Sequence, residues 1–502
     1  MSYNGIKSLS LFLVAVTLMF SLVQLDGYAQ FGGLLLEAQQ HWDTYGVGAT
    51  CISGSHNLFL ENIDDDVNVE IMTGGSSYGL LSNGSATMRE APLKIWNWDG
   101  ENVTLKAKVG WPGNINCVYA ADVDGDGKFE LLTSGSIRND SGTFPSLRVW
   151  SWDGESVTLR ASVEGVLTSA FFVCDVDHDE AVEIVSVGRF INPGQYGAKL
   201  CVWSLNGNEL VLRDSVEWCI TNVTSVTSVF ARDLDGDGEV EIVTGGYAYD
   251  LRNSSGQLRV WQYSSSGLSL TCNREWRLVE GVYGLTIAGG VQGNTVVNNV
   301  KVGDVDSDGT PEIITGGFAY DGENINGQLR IWSWNGMDLL LEKSEEWASD
   351  YLTEIKCVSL GDVDGDSELE IVTSGGVGAE GSFANDTASP TQGQLRVWSW
   401  DGANLTLEYG QDWTVGDGFF AWNVASGDVD GDEVEEIVTV GCMGMGSLCD
   451  PDMRVWSVKK ADANQIFPYV ALALTSSAIM GLAGFLLLFK KIKQSRLSRE
   501  NN

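Results

Sequence analysis

Four short apolar runs, separated by Gly- and Asp-rich turns, return in the same order along this chain. The most regular one reads LKIWNW at 93–98, LRVWSW at 147–152, LCVWSL at 200–205 and LRVWQY at 258–263. Its later copies are LRIWSW at 329–334, LRVWSW at 395–400 and MRVWSV at 453–458. Alternation of apolar and polar positions rich in β-branched and aromatic residues predicts a half-buried strand. Asp-Gly or Asn-Gly follows it at Asp99-Gly100, Asp153-Gly154, Asn335-Gly336 and Asp401-Gly402, a tight-hairpin signal. A further strand comes next, as in LLLEKSEEW at 339–347 or LTLEYGQDW at 405–413. Upstream lie two more, a short apolar stretch such as SVFA at 228–231 and a β-branched run, EIVTGG at 241–246. The unit is therefore four strands, each joined to the next by a turn.

Between the first and second strands of every unit sits an acidic nonapeptide. At 233–241 it reads DLDGDGEVE, with Asp233, Asp235 and Asp237 on alternate residues and Glu241 closing it. The same positions hold Asp122, Asp124, Asp126 and Glu130; Asp175, Asp177, Asp179 and Glu183; and Asp304, Asp306, Asp308 and Glu312. They recur as Asp362, Asp364, Asp366 and Glu370, and as Asp428, Asp430, Asp432 and Glu436. A worn copy precedes them: Asn62, Asp64, Asp66 and Glu70. That makes seven copies, 53 to 71 residues apart, and repetition on this scale points to a solenoid, a propeller or an array.

Seven repeats of four antiparallel strands predict an all-β, seven-bladed β-propeller. Closure supplies an independent argument. The last repeat stops after its third strand, and LLLEAQQHW at 34–42 has the sequence of the missing fourth. The N-terminal strand is expected to complete the last blade and so remove an open sheet edge. Tryptophan follows the same register: seven occupy the first Trp slot of the third strand, four the second and six the end of the fourth strand. Repetition position by position predicts packing between blades in preference to a row of sugar- or quinone-stacking platforms.

Charge changes the picture next. The 502-residue chain carries a formal charge of −38, which argues against nucleic acid as a partner. The acidic motifs hold 27 of the 68 carboxylate side chains, so the acidity belongs partly to sites. Like charges this close repel unless a cation stands between them. Aspartates at positions 1, 3 and 5, a glycine at 6 to permit the turn, a carbonyl at 7 and Glu at 9 form a hard-oxygen set that suits Ca²⁺ better than Mg²⁺. The closing Glu falls at position 9 between strands, not at 12 between helices, which separates the motif from an EF-hand. The other reading is a bare acidic turn.

At the ends of the chain the pattern is different. Lys7, an apolar run at 9–23 and Gly27-Tyr28-Ala29 predict a secretory signal peptide over 1–29, with an uncleaved anchor as the alternative. Residues 466–489 are 24 positions without a charge, enough to cross a bilayer, and the basic tail 490–502 follows. The positive-inside tendency places that tail in the cytoplasm and the propeller, residues 30–465, outside a cell membrane crossed once. Sequons at Asn83, Asn102, Asn139, Asn222, Asn253, Asn385 and Asn404 agree with an extracytoplasmic site. Of the nine cysteines, Cys442 and Cys449 flank a short loop and are candidates for a disulfide, while Cys117 and Cys357 read as buried thiols.

The repeat resembles the FG-GAP/VCBS unit, the blade of integrin α-subunit propellers, over roughly residues 34–458. The resemblance implies calcium on the four side chains of each acidic motif, up to seven ions in all. The loops starting at Asp122, Asp233 and Asp304 match best, because they keep Gly127, Gly238 and Gly309. Glu180, Ser367 and Glu433 replace that glycine elsewhere, and the first copy has Val67, so those loops are expected to bind more weakly. Phe-Gly, which names the family, precedes few of the loops.

Alternate loops of a blade share a face, so the acidic loops and the Asp-Gly hairpins are expected together, facing the membrane. The long connections (76–91, 247–255, 277–297, 318–326 and 377–392) would face outward, where binding loops on a rigid ring belong. YAYD at 247–250 and FAYD at 318–321 offer aromatic and acidic groups to a glycan or protein, or else pack their own loops. The functional expectation is a membrane-anchored, non-catalytic adhesion or ligand-binding module. The alternatives are a cell-envelope carbohydrate-active lyase or hydrolase on a calcium-stabilised propeller, and a purely structural envelope protein. Only three histidines (His41, His56 and His178) and no GxSxG or HExxH motif weigh against an enzyme.

Overall fold

The structure is a computed structural model that describes residues 33–41, 50–51, 56–64, 68–80, 86–249, 254–278, 295–349, 352–378, 392–414, 419–443 and 450–459. Two compact units divide the chain, one spanning Leu36–Ser457 and the other Met1–Leu35 with Val458–Asn502. Of the second unit, the described residues 33–35 and 458–459 are strand ends. Among the described residues there is no helix long and apolar enough to cross a membrane. The expected leader and membrane span lie outside the described residues, as do Asp66, Cys449 and Trp42.

The larger unit is all-β and propeller-like. Each sequence repeat becomes an antiparallel meander, as in Gly113–Ala121, Glu130–Asn139, Gly142–Trp152 and Val157–Glu164, hydrogen-bonded in that order. Two eight-stranded sheets are each a pair of such meanders, linked by one parallel bridge, Tyr196 to Val223 in one and Ile325 to Leu352 in the other. The latch expected from sequence is present: Gly33–His41 is the outer neighbour of Asp450–Lys459 in a four-stranded sheet. Gln39 donates to Asp452 at 2.8 Å, and Ser457 donates to Glu37 at 2.6 Å.

Successive first strands pack on one another from Leu58–Glu61 through Gly113–Ala121, Leu167–Cys174, Val223–Arg232, Thr295–Gly303 and Leu352–Gly361 to Phe419–Gly427. The last of these returns to pack against the first. The hydrophobic cores accordingly lie between neighbouring sheets. Met72, Leu93 and Ile95 meet Ile115, Leu131 and Trp150, and Val438, Val440 and Val455 of the last repeat meet Ile71 and Trp96 of the first. Full burial of each such side chain is worth about 1.5–3 kcal/mol.

The tryptophan register is a packing device between successive meanders. Trp218 lies 4.9 Å from Trp261, Trp276 5.0 Å from Trp332, Trp347 4.9 Å from Trp398 and Trp413 5.1 Å from Trp456, each pair joining a fourth strand to the next repeat's third. Each first-slot indole donates to the hydroxyl in the preceding strand: Trp150 to Thr133, Trp203 to Ser186 and Trp261 to Thr244, all at 2.9 Å.

The paired glycines have separate reasons. A Cβ on Gly245 would meet Val300 of the next sheet at 2.3 Å, while one on Gly246 would meet the Ser225 carbonyl at 2.1 Å.

Two of the connections expected to be long and irregular are largely strand. Ser76–Leu80 pairs with Ala86–Trp98, and Glu312–Tyr320 and Ile325–Trp334 leave only a tight turn between them. Ladder hydrogen bonds satisfy these backbones well past the apolar run that marks the strand in sequence. Phe318 of FAYD is buried in a cluster with Val296, Ile325 and Leu352, so it packs its own end of the sheet. Cys117 and Cys357 are buried free thiols, as expected.

Candidate metal centres

Each acidic nonapeptide from Asp122 onward forms a tight turn between the first and second strands of its meander. The first aspartate holds the turn: Asp122 accepts from the amides of Gly125 and Gly127, both at 2.8 Å, and from Asp126 at 3.1 Å. Asp233, Asp304, Asp362 and Asp428 accept from the amide at position 6 in the same way, at 2.8 to 3.0 Å, and Asp175 does so at 3.1 Å. The fifth-position aspartates Asp126, Asp179, Asp237, Asp308, Asp366 and Asp432 each accept from the amide two residues on.

The sixth position adopts positive φ throughout these six loops, whether it is Gly127 at 84°, Gly238 at 93° and Gly309 at 92° or Glu180 at 72°, Ser367 at 75° and Glu433 at 74°. Loss of the glycine therefore leaves the turn in place at a conformational cost of roughly 1–2 kcal/mol per residue.

The ninth-position glutamate begins the second strand and is buried in all seven repeats. One of its oxygens accepts the amide of position 2: Ile63 to Glu70, Val123 to Glu130, Val176 to Glu183, Leu234 to Glu241, Val305 to Glu312, Val363 to Glu370 and Val429 to Glu436, at 3.0 to 3.2 Å. Burial first, and the neighbouring aspartates with it, push Glu130, Glu183 and Glu312 up to about 7 and Glu370 and Glu436 up to about 8. Glu241 and Glu70 shift upward as well, again chiefly through burial.

Oxygen atoms of positions 1, 3 and 9 converge within 4.8 Å of one another in four loops: Asp122, Asp124 and Glu130; Asp175, Asp177 and Glu183; Asp233, Asp235 and Glu241; Asp362, Asp364 and Glu370. In the loop at Asp304 the convergent set is Asp304, Asp306 and Asp308. Such clusters can hold a metal ion. The buried Oδ1 atoms of Asp175 and Asp430 have no hydrogen-bond partner, which is the state a carboxylate oxygen takes when a cation is its natural neighbour. Positions 1, 3 and 9 are thus brought together in those four loops, and positions 1, 3 and 5 in the loop at Asp304. In the worn copy Asp64 and Glu70 share a partner, Lys106, and Asp66 lies outside the described residues.

The Asp-Gly hairpins share this face, as expected, and abut the acidic loop of the preceding repeat. A Cβ on Gly336 would meet Asp235 at 2.8 Å, one on Gly402 Asp306 at 2.8 Å and one on Gly100 Asp430 at 3.3 Å.

Sequence reasoning missed a further residue. Every observed third-to-fourth strand pairing has a bulge at the first Trp slot, as between Trp150 paired with Leu159 and Val149 paired with Ala161. The skipped residue is Lys106, Arg160, Arg213, Thr271, Glu342 or Glu408 in successive repeats. Bulges re-aim side chains, and here the re-aimed positions include two that reach the acidic loops. Lys106 reaches Asp64 at 2.5 Å and Glu70 at 2.8 Å; Arg160 reaches Glu130 at 2.8 Å and pairs with Asp124. The only sequence signal was the residue after the V-T-L or L-x-L of each fourth strand, basic in the first three repeats, Thr271 in the fourth and acidic in the later ones.

No family model and no curated protein matches the chain. Among solved structures it is similar to rhamnogalacturonan lyase YesW at 14% identity and a TM-score of 0.34, over 82% of this chain and 91% of that one.

Proposed function

We propose that this protein is a seven-bladed, calcium-stapled propeller of the FG-GAP/VCBS kind, exposed outside a membrane that its C-terminal segment crosses, and that it binds an external protein or glycan. The observation that carries the calcium reading is the convergence of loop aspartates, in most loops on a buried glutamate, at the same turn in repeat after repeat. Hard oxygen donors of that number suit calcium. Seven blades are supported by the cyclic packing of first strands and by the N-terminal strand beside the last meander.

The leader-like N-terminus, the uncharged stretch at 466–489 and the basic tail support the topology. The connections opposite the acidic loops are the natural contact surface, since they vary in length and sequence while the sheets do not. A protein and glycan array probed with the soluble propeller, residues 30–465, in calcium tests the binding role. Retention of a ligand that chelation releases supports it; turnover of a polysaccharide by the same material would replace it with a carbohydrate-active enzyme.

A further inference from the structure

We propose that the bulged residue of each fourth strand decides how its acidic loop is neutralised, and that Lys106 and Arg160 are built-in counter-ions standing where a divalent cation stands in later repeats. This rests on the reading of the loops as cation sites and deepens it, because it says which of them take an ion.

The second repeat carries the argument. It has the full complement of acids and the glycine, so on sequence it ranks with the best sites. Its ligands are nevertheless spent. Asp122 gives both oxygens to backbone amides, as Asp233, Asp304, Asp362 and Asp428 do in their own loops, so the difference lies in the other two acids. Glu130 gives one oxygen to Val123 at 3.2 Å and the other to Arg160 at 2.8 Å, and Asp124 pairs with the same guanidinium. Arg160 also donates to the Gly207 carbonyl at 3.2 Å, in the hairpin of the next repeat. One side chain thus engages two of the loop's carboxylates and ties the loop across the seam between two sheets.

In the first repeat Lys106 does the same for Asp64 and Glu70. There Asn62 stands at the first position, so one ligand acid is absent before Lys106 engages two of the others.

The other repeats differ at this position. Arg213 instead donates to the Ser204 hydroxyl at 2.7 Å and reaches Asp177 of its loop only through the field of its charge. Thr271 is neutral. Glu342 and Glu408 accept from Ser333 at 2.6 Å and Ser399 at 2.8 Å, and Glu37 accepts from Ser457 at 2.6 Å. These last three put an acid where Lys106 and Arg160 put a base, so this position supplies no counter-ion to their loops.

Native mass spectrometry of the full chain in detergent, titrated with calcium, counts the ions. Arg160→Ser is expected to bind one ion more than wild type, Arg160→Lys the same number, and Glu342→Arg one fewer. Melting in chelator guards against misfolding: Arg160→Ser should melt lower without calcium and recover with it. An unchanged count in Arg160→Ser, with ions bound elsewhere, overturns the assignment alone. No bound ion in wild type or any variant overturns it together with the cation reading beneath it.

Discussion

The carboxylate of Glu312 accepts the amide of Val305 at 3.1 Å, so the residue that closes the acidic loop also shapes its entry. Charge and geometry can therefore be separated by substitution. Glu312→Gln keeps an acceptor and removes a buried charge; with Asp304, Asp306 and Asp308 still convergent it should weaken calcium binding at this loop and raise the melting temperature in chelator by about a degree. Glu312→Ala strands the amide and should destabilise the protein by about 1–3 kcal/mol whether calcium is present or not. Melting curves of both variants with and without calcium check this.

Acid should stabilise the calcium-free protein. Glu130, Glu183 and Glu312 at about 7, and Glu370 and Glu436 at about 8, lie above the ordinary 4.5 of an unfolded glutamate. The folded chain then holds more protons than the unfolded one across that window, so its stability falls as pH rises. In chelator the melting temperature should drop steadily from pH 5 to pH 8, and added calcium should help most at pH 8, where it no longer competes with protons. A calcium-free melt that rises over this range would refute the account.

Removing the indole donor of Trp261 leaves the Thr244 hydroxyl buried and unpaired, since the two are joined at 2.9 Å. Trp261→Phe should cost about 1–3 kcal/mol from that bond and more from lost packing. The double variant with Thr244→Val should cost less than the two singles added together, which denaturant unfolding of the four proteins would show.

Gly246 is a close-approach glycine. Its missing Cβ makes room for the Ser225 carbonyl, which an added methyl would meet at 2.1 Å, at the bulge between Val226 and Ser228. Gly246→Ala should destabilise the fold by about 1–3 kcal/mol or more. Gly238→Ala has open space around it and is opposed only by its φ of 93°, so it should cost about 1–2 kcal/mol. The two are compared by urea titration.

Sequence alone determined the strands, their order within each repeat, the acidic turns and the strand that latches the last sheet, because each is encoded within a few residues. The apolar run that follows each acidic loop, EIVTGG at 241–246, ends on glycine in every repeat, and 34–42 repeats the fourth-strand pattern without reference to its neighbours. Tertiary structure decided the partners. That Trp218 lies on Trp261, that Gly245 faces Val300, and that Arg160 turns onto Glu130 while Arg213 turns to Ser204 depend on how adjacent sheets meet and on where a bulge points a side chain. Local pattern reads period and propensity; the direction of a side chain across a seam follows from the packing of surfaces distant in sequence, and linear spacing does not carry it.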